Sequence, residues 1–405
     1  MTTTPFLDIF DPDFRFEGPD VSAAQERSWY ADSPIGPIAL RNSEVSDLLR
    51  DPRFRLGGEG YMALHEIEGG PLYEWWMHTL MSLEGSTHKR QRGLLAKAFT
   101  PRLVENLRPF TRRTAIRLAA EIEPETSHDF IAEFADPLPA LVMCELVGVP
   151  VEDYDQFHDW SGDIGLAFAT GGLNGELLTT VERAIEEMVS YIDGLIARRR
   201  KDPGQDLISL MIDASEDGGR LSTTELHDLT LLLVWAGQDT TSRQFGRSLA
   251  AFGEHPDQWN LLRAQPNLLD YAVNECLRFT PQARMIQRYA MRDLTYGGLD
   301  LPADSVIFCC ITSANRDPRA FDRPTTLDIQ RKPSSRQLVF GGGIHHCLGY
   351  ALAQMELEEG LVALSQRFGA PEVTGPIVWR PDLAMIHGPD QLPLAFATPS
   401  SELAA

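Results

Sequence analysis

From Leu221 to Phe252 the chain reads as one continuous helix whose middle, Leu231-Leu-Leu-Val-Trp-Ala236, is almost wholly apolar. Leu221-Ser222-Thr223 opens it, and at the α-helical rise it extends roughly 45 Å, enough to cross the whole molecule. Such a helix cannot lie on a surface, so the rest of the fold has to be built around it.

The segments on either side fit that demand. Thr179 to Arg200 places Ile185, Met188, Ile192 and Ile196 on one helical face and ends in Arg198-Arg-Arg-Lys201, the charge that a helix C-terminus favours. Ser43 is expected to cap a short helix, Pro37 to Leu40 to form a strand, Thr295 to Ile311 to give strands broken at Tyr296-Gly297-Gly298, and Leu392 to Phe396 to give a last strand. The expected fold class is mostly α with small peripheral β-sheets. With 405 residues, 43% of them hydrophobic, and no linker or repeat, residues 1–405 read as one domain, with disorder expected only in the first few residues and after Thr398.

Composition excludes several classes. No stretch reaches the roughly 20 apolar residues of a membrane helix, and the N-terminus has no basic leader ahead of an apolar run, so a cytoplasmic protein is expected. The five cysteines are an odd, scattered set, unlike a disulfide framework; Cys309 and Cys310 read as packing residues. A formal charge of −22 disfavours nucleic acid as a partner. One stretch departs from it: Ser86 to Arg102 holds Lys89, Arg90, Arg92, Lys97 and Arg102 and no acid.

Two motifs carry chemistry. In Phe340-Gly-Gly-Gly-Ile-His-His-Cys-Leu-Gly349, a glycine-rich loop delivers Cys347 to the start of a helical pattern, Ala351 to Phe368. Glycines let a backbone adopt positive φ and approach a flat partner, and amides at a helix start favour a thiolate. A buried packing cysteine is the plain alternative; a site built from His345, His346 and Cys347 is disfavoured because three consecutive side chains cannot face one metal. The second motif, Ala236-Gly-Gln-Asp-Thr-Thr241, interrupts the long helix with residues that stability alone would not choose.

Both motifs resemble signatures of the cytochrome P450 family, F-G-x-G-x-[HR]-x-C-x-G and [AG]-G-x-[DE]-T-[TS], and the chain is similar to its soluble bacterial members nearly throughout. Lys97-Ala-Phe-Thr-Pro-Arg102, Ala314-Asn-Arg-Asp-Pro318 and His387-Gly-Pro-Asp-Gln-Leu-Pro393 fit as well. The resemblance implies a haem-thiolate monooxygenase domain that holds haem b in a loop including Phe340, Gly341 and Gly349, with Cys347 as the iron ligand. Gly237 would make room above the iron, Thr240 would hydrogen-bond the dioxygen being cleaved, and Asp239 would relay protons from solvent. Glu275 and Arg278 match E-x-x-R and imply a buried structural ion pair completed by Arg331. His88, Arg92, Arg288 and His345 are the implied propionate donors. Departures lie at Glu84-Gly85, where an acid-proline pair is usual, and at Gln337, where histidine is common.

The resemblance further implies two electrons from NAD(P)H through a separate ferredoxin-type donor, docking at Lys89, Arg90, Lys97 and Arg102. The expected reaction hydroxylates or epoxidises a hydrophobic small molecule of terpenoid, steroid, fatty or aromatic type. Candidate pocket residues are Trp76, Met77, Leu80, Phe168, Leu233, Ala236, Ala283, Met285, Met385 and Ile386, within segments that include Gly165 to Leu178; Arg284 could anchor an acid group. A peroxygenase or a coupling or desaturation catalyst on the same haem, and a non-catalytic haem sensor, are the alternatives; the intact Asp239-Thr240 pair favours use of O2.

Overall fold

The computed structural model describes residues 4–169, 173, 175–216, 221–334 and 336–399. The long helix is present as Thr223–Glu254, 32 residues. Its start is a capping box: the Ser222 hydroxyl accepts from the Glu225 amide at 3.1 Å, and the Glu225 carboxylate accepts from the Ser222 amide at 2.8 Å. We call it the central helix.

Helices pack around it on several sides. They include Pro71–His78, Pro137–Val147, Tyr154–Ala169, Gly175–Lys201 and Leu269–Phe279. The predicted stripe Ile185, Met188, Ile192 and Ile196 is buried, as periodicity required. Tyr350–Arg367, the cysteine helix, packs on the central helix and on the long helix Pro101–Glu121, and a single apolar cluster joins residues from Tyr61 to Phe396.

The sheets are small. In the largest, the strands run in the order Tyr30–Ala31, Ile38–Ala39, Val306–Cys310, Met285–Ala290 and Phe54–Arg55; only the pairing of Ile38–Ala39 with Val306–Cys310 is parallel. Pro393–Phe396 lies between His128–Asp129 and Pro371–Val373, and Leu294–Tyr296 pairs with Leu299–Leu301. Cys309 and Cys310 are buried packing residues.

One local expectation fails. The short helix runs Asn42–Leu48, so Ser43 lies inside it. Its cap comes from elsewhere: Asp317, far along the chain, accepts from the Asn42 amide at 2.9 Å. A distant carboxylate has displaced the adjacent hydroxyl because it also complements the helix dipole. Among the described residues, no helix is long and apolar enough to cross a membrane.

Candidate functional site

The cysteine loop is shaped by its glycines. Gly341 and Gly343 adopt φ of +69° and +67°, values costly for other residues, and the Cys347 amide closes the loop by donating to the Phe340 carbonyl at 2.9 Å. The helix starts directly afterwards, at Tyr350. Burial pushes the Cys347 thiol up, while the Gly349 amide and the charge of Arg92 pull it down. The sulfur is therefore surrounded by groups that support a thiolate but do not by themselves suffice for one. A bound cation would complete the set, and the iron of a haem fits this requirement.

The central helix presents one uncovered face. Leu233, Ala236, Gly237 and Thr240, at i, i+3, i+4 and i+7, are half-buried, whereas Leu232, Val234, Trp235 and Gln238 beside them are buried. Such a stripe in the middle of an otherwise enclosed helix is not covered by protein side chains as its neighbours are. Thr240 lies on that stripe and donates to the Ala236 carbonyl at 2.7 Å, which fixes its rotamer. At Gly237, which lies on the same stripe, a Cβ would meet the Met143 sulfur at 2.5 Å, so the glycine also lets the Met143 side chain of helix Pro137–Val147 come close.

Asp239 is neither exposed nor free. Arg380 grips it with two hydrogen bonds, at 2.7 and 2.8 Å, and Arg243 adds a third at 3.2 Å. Arg243 in turn bonds Asp136 at 3.0 Å, and Arg380 bonds Asp390 at 2.8 Å. Burial alone would raise the Asp239 carboxyl, but the charges of Arg380 and Arg243 win and hold it below the usual carboxylate range. Sequence reasoning missed both arginines. Arg243 had a signal, since it stands four residues after Asp239 on the same helix face; Arg380, 141 residues away, had none.

Four donors were assigned to carboxylates of the cofactor, and the structure draws them into one region around an acid. His345 bonds Glu84 at 2.8 Å, and its ring centroid lies 4.7 Å from that of His88. Burial would raise the Glu84 carboxyl, but His345 and then the Leu56 amide and His88 hold it down, and the charge of Glu84 also acts on Arg288. Burial first, then His345 and Arg92, push His88 down to about 4, and its Nε2 is buried without a hydrogen-bond partner among the described residues. His88 is thus a neutral donor awaiting an acceptor. Arg92 donates to the His346 carbonyl at 2.5 Å, and buried Arg288 donates to the carbonyls of Gln287 at 2.9 Å and Leu49 at 3.2 Å. An orphaned histidine nitrogen and a buried arginine with no carboxylate bonded to it among the described residues suit the propionates of a haem. Glu84, which stood out in the sequence only as a departure, proves to hold His345 in place.

The structural pair assembles in full. Arg278 bonds both oxygens of Glu275, at 2.8 and 2.7 Å, and Arg331 bonds the same carboxylate at 3.0 Å. The Asp328 amide adds a further bond at 3.0 Å.

The pocket residues divide. Met77, Leu233, Ala236, Ala283, Met285 and Met385 are half-buried, consistent with lining a space, whereas Leu80 and Ile386 are buried. Trp76 and Phe168, each 1% exposed, belong instead to a closed aromatic cluster with Tyr61, Trp75 and Trp235, in which Phe168 and Trp235 lie 4.2 Å apart. Mutual stacking consumes the surface these rings would offer a guest. Thr170, Gly171, Gly172 and Asn174 of the segment Gly165 to Leu178 lie outside the described residues. Arg284 is buried and paired with Asp382 and Glu17, so it has no acid group to seek.

The basic stretch forms helix Gly85–Ala98 and the start of Pro101–Glu121. Lys89, Lys97 and Arg102 are exposed on it. Arg90 differs from the expectation: its guanidinium pairs with Glu225 and so ties this helix to the central helix's capping box. Close by, where Arg92 reaches His346, the cysteine loop exposes Ile344 (56%) and Tyr350 (44%).

Comparison with known proteins agrees with this geometry. Residues 154–377, over half of the chain, match the family model Cytochrome P450. Luteothin monooxygenase of Streptomyces thioluteus is 38% identical over 97% of this chain and 96% of its own length. Mycinamicin IV hydroxylase/epoxidase of Micromonospora griseorubida is 34% identical over 89% of each. Among solved structures, CalO2 superposes with a TM-score of 0.89 at 29% identity, covering 98% of this chain and all of that one.

Proposed function

The chain belongs to the cytochrome P450 family, whose cofactor is haem b, and from that premise we propose that this monooxygenase uses O2 and two electrons, drawn from NAD(P)H through a separate ferredoxin and reductase, to hydroxylate or epoxidise a hydrophobic small molecule. The observation that carries the reading is Cys347, a sulfur set by a glycine loop just ahead of the helix that packs along the central helix, with the Gly349 amide and the charge of Arg92 acting on it. Haem supplies the oxidising chemistry when bound. His88, Arg92 and Arg288 would hold its propionates, with His345 oriented by Glu84. We read residues 1–405 as one haem domain of a cytoplasmic enzyme.

The chain's own residues would do the rest. Leu233, Ala236, Ala283, Met285 and Met385 exclude water from the reacting centre and select an apolar guest of terpenoid, steroid, fatty or aromatic type. Thr240, its hydroxyl held by Ala236, orients protons, and Asp239 passes them inward when its grip by Arg380 loosens. The printed name of the Micromonospora relative joins hydroxylation to epoxidation, which supports keeping both outcomes.

For the electron donor, exposed Lys89, Lys97 and Arg102 would supply the positive charge, on the basic stretch whose Arg92 reaches the cysteine loop, and exposed Ile344 and Tyr350 would supply apolar contact. On a chain of formal charge −22, this local reversal of sign suits an acidic ferredoxin. The reading is tested by screening apolar compounds for the Soret shift that follows loss of a sixth ligand. Product is then measured against NADPH consumed with a surrogate ferredoxin pair. Oxygenated product carrying label from O2 is expected; NADPH-independent turnover with peroxide alone would overturn the electron-transfer part.

A further inference from the structure

The segment ahead of helix Pro19–Arg27 ends in an anchor. Phe14 and Phe16 are buried in an apolar cluster with Leu7, Ile38 and Phe308, and Met285 and Leu383 pack against that cluster. Glu17, the next residue, meets two arginines from distant parts of the fold: its Oε1 accepts from Arg247 of the central helix at 3.1 Å and lies 3.6 Å from Arg284. Among the described residues Arg247 pairs with no other carboxylate, and Arg284 with one more, Asp382. Burial opposes ionisation of Glu17, but the charges of Arg284 and then Arg247 prevail and hold its carboxyl down.

Both arginines lead to the wall of the candidate pocket. Arg284 stands between half-buried Ala283 and Met285, with its own side chain buried and bonded to Asp382. Arg247 donates to the Thr280 carbonyl at 3.1 Å and to Nδ1 of His387 at 2.6 Å. Arginine can only donate, so that ring nitrogen is an acceptor; burial and the charges of Arg284 and Arg247 keep His387 neutral. His387 directly follows Met385 and Ile386, and its amide donates to the Gln282 carbonyl at 2.8 Å, tying the two wall segments together. Glu17 therefore stands behind both of them, behind residues 283–285 through Arg284 and behind residues 385–387 through Arg247.

We infer that Glu17 is a positioning residue for the substrate site, setting through its two arginines the placement of Met285 and Met385 and so which apolar guests fit. The inference rests on the pocket assigned in the monooxygenase reading. The arginine side chains are 5% and 8% exposed and each feels the other's charge. Without Glu17 they would repel each other in an enclosed space, with Asp382, itself 42% exposed, as the remaining carboxylate. Relief comes from Arg284 turning further toward Asp382, and the backbone on either side of it, which carries Ala283 and Met285, moves with it. Met285 also rests on the cluster of Phe14 and Phe16, carried by the same segment as Glu17. The N-terminal segment thus selects the guest from behind the wall.

The test titrates the haem-loaded protein with imidazole and with 1-dodecylimidazole, following the Soret band. Imidazole is small enough to bind without filling the pocket, whereas the dodecyl chain has to lie against its walls. Glu17→Gln, which keeps volume and removes charge, is expected to weaken 1-dodecylimidazole about tenfold and imidazole by less than about twofold. Glu17→Asp, which keeps the charge with a shorter reach, should fall between wild type and Glu17→Gln. Arg199→Gln, which breaks an ion pair with Asp206 elsewhere in the fold, controls for lost stability and should leave the ratio of the two affinities unchanged. An equal change for both azoles in Glu17→Gln, or a ratio that moves as far in Arg199→Gln, reduces Glu17 to a stability role and overturns the inference. A wild type whose Soret band neither azole moves defeats the haem reading, and the inference with it. One that binds both and shows the contrast but forms no product defeats the monooxygenase reading alone.

Discussion

Asp239 and Arg380 meet through two hydrogen bonds of 2.7 and 2.8 Å across 141 residues of sequence, joining the middle of the central helix to the end of the C-terminal hairpin strand Val378–Trp379. Both side chains are nearly buried, at 13% and 8% exposure. Removing one partner strands the other. Arg380→Gln should therefore cost about 3 kcal/mol in chemical denaturation, and adding Asp239→Asn to it should restore most of the loss. The Asp239 carboxyl is depressed in the folded state, so its contribution is present above the unfolded value and is lost as pH falls below about 4. The double variant should lack that acid-side loss.

The Glu275–Arg278–Arg331 cluster makes a stronger demand, since Glu275 and Arg278 are only 1% and 2% exposed. Arg278 spends its whole fork of donors, on Glu275 and on the carbonyls of Asn315, Pro324 and Thr326. Lysine cannot reproduce that geometry. Arg278→Lys and Glu275→Gln should each lower stability by about 3–5 kcal/mol, seen as a lower denaturation midpoint and reduced haem retention.

Glu356 predicts a pH dependence of opposite sense. Burial on the cysteine helix raises its folded carboxyl, so the folded state binds the extra proton, and stability declines as pH rises above the unfolded value near 4.3, by about 1.4 kcal/mol per unit until the folded value is reached. Glu356→Gln carries no such proton. Denaturation of both proteins from about pH 5 upward should show the variant gaining on the wild type as pH rises; parallel curves would show that Glu356 titrates normally.

On the proposed docking stretch, Arg102→Glu should slow reduction by a ferredoxin and flatten its dependence on ionic strength, with stability unaltered. Arg90→Glu should act differently. Its partner Glu225 belongs to the capping box of the central helix, and the pair is partly exposed, so the change should lower stability by up to about 1 kcal/mol, mostly independent of the electron donor. Stopped-flow reduction paired with thermal denaturation of both variants separates the two effects.

Features decided by neighbouring residues could be read from the chain. The central helix was legible because its apolar run and Ser222 cap are both local, and the cysteine loop because glycine spacing dictates backbone shape. The Glu275–Arg278 pair shows at i, i+3 in the sequence itself, while Arg331 entered only through resemblance. Arg380 on Asp239, Glu84 on His345 and Asp317 at the Asn42 amide join segments far apart, and no local pattern announces them. Trp76 and Phe168 misled for a related reason: hydrophobicity selects burial, and whether a buried ring faces a guest or another ring depends on tertiary packing.

Gly360 has a reach beyond its own contact. Because its missing side chain admits the Phe245 ring, two rods are clamped at a point about one and a half turns beyond Thr240 on one and about three turns beyond the start of the other at Tyr350. The approach of the two helices is thereby governed at this contact, as the gape of a pair of tongs is governed at the pivot. An alanine at this pivot would push the Phe245 ring and the helix that carries it away from the cysteine helix.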